Sequence, residues 1–151
     1  MPALFSFDRS WWFPVEREEL WGIVTRPDAY RSWWPWLREL DIDAFAPGAT
    51  ARAVIRAPLP YSLNCEITVA EMTAPTTVST QVAGDLEGPA RLELATRDGG
   101  TDARLCWSLR LRDPVLSRLA VVGRPAMAWA HDRVVELGVE QFRQRALGEP
   151  T

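Results

Sequence analysis

The stretch RPAMAWAHDRVVELGVEQFRQRAL, Arg124 to Leu147, decides the fold. At about 100° per residue, Met127, Ala130, His131, Val134, Val135, Leu137, Gly138 and Phe142 fall on one side of a helical wheel. Trp129, Asp132, Arg133, Glu136, Glu140 and Arg143 fall on the other. Such a helix is about 35 Å long at 1.5 Å per residue, and an apolar stripe of that length needs a surface to cover. The chain's only histidine lies near the middle of the stripe, between the small residues Ala130 and Gly138. The pattern predicts a helix closing over a cavity, with one imidazole facing inward.

What the helix covers is written upstream. Residues Leu4 to Phe13 alternate, with Phe5, Phe7, Trp11 and Phe13 on one face, and read as a first strand. Pro14 suits the first turn of a helix whose positive end takes Glu16, Glu18 and Glu19, with Leu20, Trp21, Ile23 and Val24 inward. Pro27 ends it and opens a second short helix, Asp28 to Trp34, which Pro35 stops. From Leu40 the period becomes two. Strands are expected at Leu40–Phe45, Thr50–Ala57, Tyr61–Thr73, Thr77–Leu86, Ala90–Arg97 and Ala103–Arg112. Hairpin signals separate them: Pro47-Gly48, Pro58 with Pro60, Pro75, Gly88-Pro89 and Asp98-Gly99-Gly100. The last strand alternates most clearly, with Ala103, Leu105, Trp107, Leu109 and Leu111 opposite Arg104, Cys106, Ser108, Arg110 and Arg112. Short connections imply an antiparallel meander, apolar on the face that the long helix covers. Asp113-Pro114 restarts helix, and Gly123-Arg124-Pro125 breaks or kinks it before the final segment; the tail Gly148–Thr151 is expected to be disordered.

Composition bounds the rest. A chain of 151 residues is of single-domain size and buries roughly two thirds of its unfolded surface. One domain over residues 1–151 is expected. The net charge of −3 offers no electrostatic attraction to nucleic acid or anionic membrane. Its seventeen basic residues are all arginine, a mark of GC-rich coding. Cys65 and Cys106 stand in opposite phase on their strands, so a disulfide is not expected, and one histidine with two cysteines makes no ordinary zinc site. The N-terminus lacks a signal-peptide pattern and no segment is apolar enough to span a bilayer. A reduced, cytoplasmic setting is the expectation, without metal or cofactor.

The element order resembles the helix-grip fold of the SRPBCC (START-like) superfamily, which includes polyketide cyclases/dehydrases and lipid-transfer domains. Phe13-Pro14-Val15 with Leu20-Trp21 is similar to that family's entry into its first helix, and Tyr30 with Trp33-Trp34-Pro35 to its second. Leu59-Pro60-Tyr61, Gly84-Asp85-Leu86-Glu87-Gly88, Gly100-Thr101 and Arg124-Pro125 followed by His131-Asp132 resemble a bacterial, polyketide cyclase-like subgroup. The resemblance runs from about Phe5 to Leu147. It implies an α+β fold: a seven-stranded antiparallel sheet curved around a long C-terminal helix, two short N-terminal helices, and a deep apolar cavity. It does not name a ligand.

Candidate residues follow from what points inward. His131 is either a packed core histidine or a cavity group that orients a carbonyl or phenol, or moves protons near neutrality. Asp132, about 100° away on the wheel, is not an obvious partner for it. Tyr61, Cys65 and Thr80 bring polar atoms to inward strand positions, Tyr61 with a phenol that must find a partner and Cys65 as a small core residue. Trp33, Trp34 and Trp36, which the resemblance places at the cavity mouth, stack there on an aromatic ligand, form a lid, or pack the short helices on the sheet; a membrane-surface role has no basic amphipathic helix to accompany it. Arg52 and Arg56 are expected outside and their alternating alanines inside, because an unpaired buried guanidinium is costly.

The expected ligand-binding set is Trp34, Tyr61, Cys65, Thr80, Trp107, Met127, His131 and Val134. It would enclose a hydrophobic small molecule, aromatic or polyketide-like. The alternative is a cyclase/dehydrase in which His131 or Tyr61 transfers protons. A homodimer is left open, and a macromolecular partner has no charge patch to support it.

Overall fold

The computed structural model describes residues 5–42, 45–56, 62–112 and 123–149. Seven strands run in chain order: β1 (Phe5–Phe13), β2 (Leu37–Asp41), β3 (Thr50–Ile55), β4 (Leu63–Thr73), β5 (Thr77–Gly84), β6 (Leu86–Arg97) and β7 (Gly100–Leu111). Between β1 and β2 lie α1 (Arg17–Val24), a 3-10 turn (Pro27–Ala29) and α2 (Tyr30–Trp33); α3 (Gly123–Arg145) follows β7. The sheet order is β1-β7-β6-β5-β4-β3-β2, every neighbour antiparallel. The first strand thus pairs with the last, Phe5 opposite Leu109 and Phe13 opposite Thr101. This is the expected α+β architecture. Asp113-Pro114, Pro58, Pro60 and Tyr61 lie outside the described residues.

Alternation builds the sheet as read. Ala103, Leu109 and Leu111 are buried while Arg104 and Arg110 are exposed; on β3, Ala51 and Ala53 are buried and Arg52 faces water. Asp98 and Gly99, both at positive φ (50° and 77°), make the tight two-residue turn between β6 and β7. The expected turn at Gly88-Pro89 is a correction. Those residues lie inside β6, and β5 and β6 are joined around Gly84 and Asp85 instead. Gly88 is there because the neighbouring strand comes too close for a side chain: a Cβ would stand 2.0 Å from the Ser108 carbonyl oxygen. Strand β2 also starts earlier than its alternation indicates. Leu37 donates to the Trp34 carbonyl and Arg56 to that of Trp36, so pairing begins directly after the Pro35 turn.

Helix boundaries shift for similar local reasons. Helix α1 starts at Arg17 and not at Pro14, because Val15 N–H turns back onto the Phe13 carbonyl at 2.8 Å. Thr101, fully buried, fixes that corner by donating its hydroxyl to the Val15 carbonyl at 2.7 Å. Helix α3 carries Pro125 in its first turn, where a missing N–H breaks no bond. Beyond it, Gly148 at φ 70° folds the chain back and Glu149 N–H bonds the Arg143 carbonyl, so the tail stays structured through Glu149.

The core sits where α1, α2 and α3 meet the β1–β7–β6 end of the sheet. Phe13, Leu20, Trp33, Leu94, Ala103 and Phe142 form its buried cluster. Trp129 is 63% exposed, as the helical wheel requires of its outer face. Arg143 is an exception to that wheel. Its guanidinium lies 4.4 Å from the Phe13 ring centroid and donates to the Trp12 carbonyl, so the long side chain folds down onto the protein. No helix among the described residues is long and apolar enough to cross a membrane.

Candidate functional site: a cavity between the sheet and the last helix

A cavity of about 520 Å³ separates the concave face of the sheet from α3. That size is within the roughly 300–1,000 Å³ typical of small-molecule sites. Its walls are almost wholly hydrocarbon and aromatic. Of the expected residues, Trp34, Cys65, Thr80, Trp107, His131 and Val134 all line it. Tyr61 and the side chain of Met127 lie outside the described residues, although the Met127 backbone belongs to α3. Along α3 the lining positions are His131, Val134, Val135, Gly138, Val139 and Phe142, the i, i+3, i+4 repeat of one helical face. Val139 replaces Leu137, which the wheel had put on this side. The shift is less than one residue's rotation, within the width of an apolar stripe.

Three tryptophans hold the helix in place. Trp34 donates its indole N–H to the Gly138 carbonyl at 2.8 Å, and Trp36 donates to Gln141 Oε1 at 2.9 Å. Their rings stack 5.6 Å apart at 26°. Trp33 is buried edge-on against Phe142, 5.2 Å between centroids. The cluster packs the short helix on α3, and all three tryptophans also line the cavity. Trp11 and Tyr30 line it as well. The alternation of β1 had placed Trp11 inward; Tyr30 carried no periodic signal that separated it from core.

Each hydroxyl described on the wall donates to a backbone carbonyl. Thr80 bonds the Ala90 carbonyl at 2.9 Å, and Tyr30 bonds that of Val24. Burial pushes the Tyr30 phenol up from its ordinary value. The Cys65 thiol is pushed up to about 11, chiefly by burial, so it stays neutral and unreactive at physiological pH.

His131 is the exception to this backbone pairing. Trp107 Nε1 lies 2.9 Å from His131 Nε2, joining the sheet to the helix through two side chains. An indole N–H can only donate, so Nε2 accepts and the ring proton sits on Nδ1. Nδ1 is 3.1 Å from Asp132 Oδ1. The neighbouring carboxylate is thus a partner after all, contrary to the wheel argument: Nδ1 sits close to its own backbone, within reach of the next side chain. Asp132 is largely exposed and His131 largely shielded, with side-chain exposures of 64% and 15%. The indole is fixed from behind by Phe7, stacked on it at 4.6 Å and 17°. The imidazole stands edge-on to both rings, 5.5 Å from Phe7 and 5.4 Å from Trp107.

This site belongs to a known architecture. Residues 5–147 match the family described as polyketide cyclase / dehydrase and lipid transport. The chain belongs to that family. Among curated proteins, none matches it significantly. Solved structures share the family's helix-grip fold with little sequence in common. A conserved protein from Geobacillus kaustophilus superposes with a TM-score of 0.76 at 12% identity, over 93% of each chain. TTHA0849 from Thermus thermophilus gives 0.72 at 13% identity, covering 97% of this chain and 100% of that one. A protein from Rhizobium leguminosarum gives 0.69 at 12% identity, over 96% and 95%. At such identities the likeness carries the fold, and function must be argued from the cavity.

Proposed function

We propose that the protein binds an uncharged, largely apolar small molecule, aromatic or polyketide-like, enclosed between the sheet and α3. The observation that carries this reading is the cavity itself, a space of about 520 Å³ walled by tryptophan, leucine and valine side chains. Burial of apolar ligand surface supplies the drive, at about 25 cal/mol per Å² before ordering costs. Ring faces of Trp34 and Trp107 add offset stacking for a planar guest. The working setting is reducing and cytoplasmic, in keeping with two free cysteines, one buried inside and one on the outer face.

N-phenyl-1-naphthylamine, a neutral aromatic dye that brightens in apolar surroundings, tests the proposal. Saturable brightening, together with a low-molecular-weight adduct in native mass spectra of protein purified from its host, is the expected result. A dye signal that never saturates would sink the reading.

The Asp132–His131 contact supports a second reading, a cyclase/dehydrase. There Nε2 would take a proton from an activated methylene of a poly-β-ketone before ring closure and loss of water. Nε2 must first give up the Trp107 N–H, so binding is the reading the geometry favours. Turnover of such a chain that vanishes in His131→Phe while binding persists would reverse that preference.

A further inference from the structure

We infer that the ligand carries a hydroxyl group, phenolic or enolic, and that this group seats between Trp107 Nε1 and His131 Nε2. The inference rests on the cavity reading above and adds a chemical class to it.

The argument starts from which wall hydrogen bonds can open. Those of Thr80, Tyr30 and Trp34 end on backbone carbonyls of packed elements. Only donation to the same carbonyl would replace what each loses, and a ligand in the cavity does not reach behind the wall to supply it. The Trp107–His131 bond differs because donor and acceptor are both side chains lining the cavity, one from the sheet and one from the helix, and they meet there. A hydroxyl accepts from the indole N–H through its oxygen and donates its proton to Nε2. Both protein groups then remain satisfied. A carbonyl or ether serves the indole alone and leaves the Nε2 lone pair facing another acceptor. An aliphatic ligand serves neither.

The two partners ride on different elements. The indole is clamped on the sheet by its stack on Phe7. The imidazole rides on α3, which is fastened C-terminal to it by the Trp34 bond to the Gly138 carbonyl, by buried Phe142, and by Arg143 and Arg145, which donate to the Trp12 and Trp33 carbonyls. His131 lies about two turns from the nearest of these, Gly138. Two bonds of about 2.8 Å meeting at a hydroxyl oxygen set the nitrogens roughly 4.6 Å apart. Seating the hydroxyl therefore requires indole and imidazole to part by about 1.7 Å from their present 2.9 Å separation. Asp132 holds the Nδ1–H from behind, which leaves Nε2 as the ring's acceptor.

The test compares 2-naphthol with 2-methoxynaphthalene, which share a ring system and differ in the hydroxyl proton. Displacement of N-phenyl-1-naphthylamine gives both affinities. The wild-type protein should prefer the naphthol by on the order of tenfold, the equivalent of one net hydrogen bond. In His131→Phe that preference should collapse to below about twofold. In Trp107→Phe, which keeps a ring to stack on Phe7, it should shrink as well. The indole N–H resonance of Trp107, assigned by its loss in that variant, should move on adding naphthol and hold still with the ether. Equal affinity of the two compounds for wild type overturns the inference and needs no variant to do so. Failure of both compounds to displace a dye that itself binds also overturns it and leaves the cavity reading standing. Absence of dye binding brings down both.

Discussion

The indole N–H of Trp34 meets the backbone carbonyl of Gly138 at 2.8 Å, at a position whose missing side chain leaves room for the Trp36 ring. A Cβ there would stand 3.3 Å from Trp36 Cζ2 and 3.7 Å from Trp34 Nε1. Trp36 is itself tied to Gln141 and has little freedom to retreat. Gly138→Val should therefore destabilise by about 1–3 kcal/mol through overpacking, despite removing a glycine from a helix. Gly138→Ala should fall near neutral, its better helix propensity offsetting the crowding. Urea unfolding midpoints of the two variants check both statements.

Asp85 is 4% exposed, yet it has no hydrophobic role. Its carboxylate accepts from the Asn64 backbone N–H and from the Arg112 guanidinium, each at 2.8 Å, and so pins β4 and the end of β7 to the β5–β6 corner. Asp85→Ala leaves the Asn64 N–H without its partner. A loss of about 1–3 kcal/mol is expected, most of it recovered in Asp85→Asn, whose amide oxygen still accepts. Chemical denaturation of the pair measures the difference.

On the outer face, the Arg104 guanidinium bonded to Asp8 brings that carboxyl down to about 2 from the ordinary 3.8. A depressed folded value means the pairing stabilises above the unfolded value and is lost as pH falls through the folded one. The melting temperatures of wild type and Asp8→Asn should differ by a constant amount at pH 5 and above. They should converge between pH 4 and pH 2. A difference that persists undiminished at pH 2 would refute the assignment.

The two thiols should react in sequence. Cys65 is buried and its thiol is pushed up to about 11, while Cys106 lies partly open on the outer face of β7 beside Asp8. Iodoacetamide at pH 8 should label Cys106 in the native protein and reach Cys65 only after unfolding. Intact mass against time reads the two steps.

Much of this was legible in the sequence because it depends on period. The alternation Ala103, Leu105, Trp107, Leu109, Leu111 puts Trp107 inward, and a 3.6-residue stripe puts His131 opposite it. What period cannot supply is the sliding position of a helix along a sheet. The pairing of Trp107 with His131 depends on that position, and so does the choice of Val139 over Leu137 on the wall. Burial of Asp85 was hidden for another reason. Gly84-Asp85-Leu86-Glu87-Gly88 has the composition of a solvated turn, and only the approach of Asn64 and Arg112 from distant strands encloses it.

The pairing of β1 with β7 also bears on how the chain comes into being. Phe5 emerges from synthesis well before its partner Leu109, with every other strand of the sheet in between. Until then the aromatic face of β1, with Phe7, Trp11 and Phe13, has no neighbouring backbone to receive it. Contacts so distant in sequence carry a heavy loop-closure cost and slow the search. A nascent chain with that strand waiting is a natural client for chaperones, and truncation before β7 leaves a fragment prone to self-association through its unpaired edge.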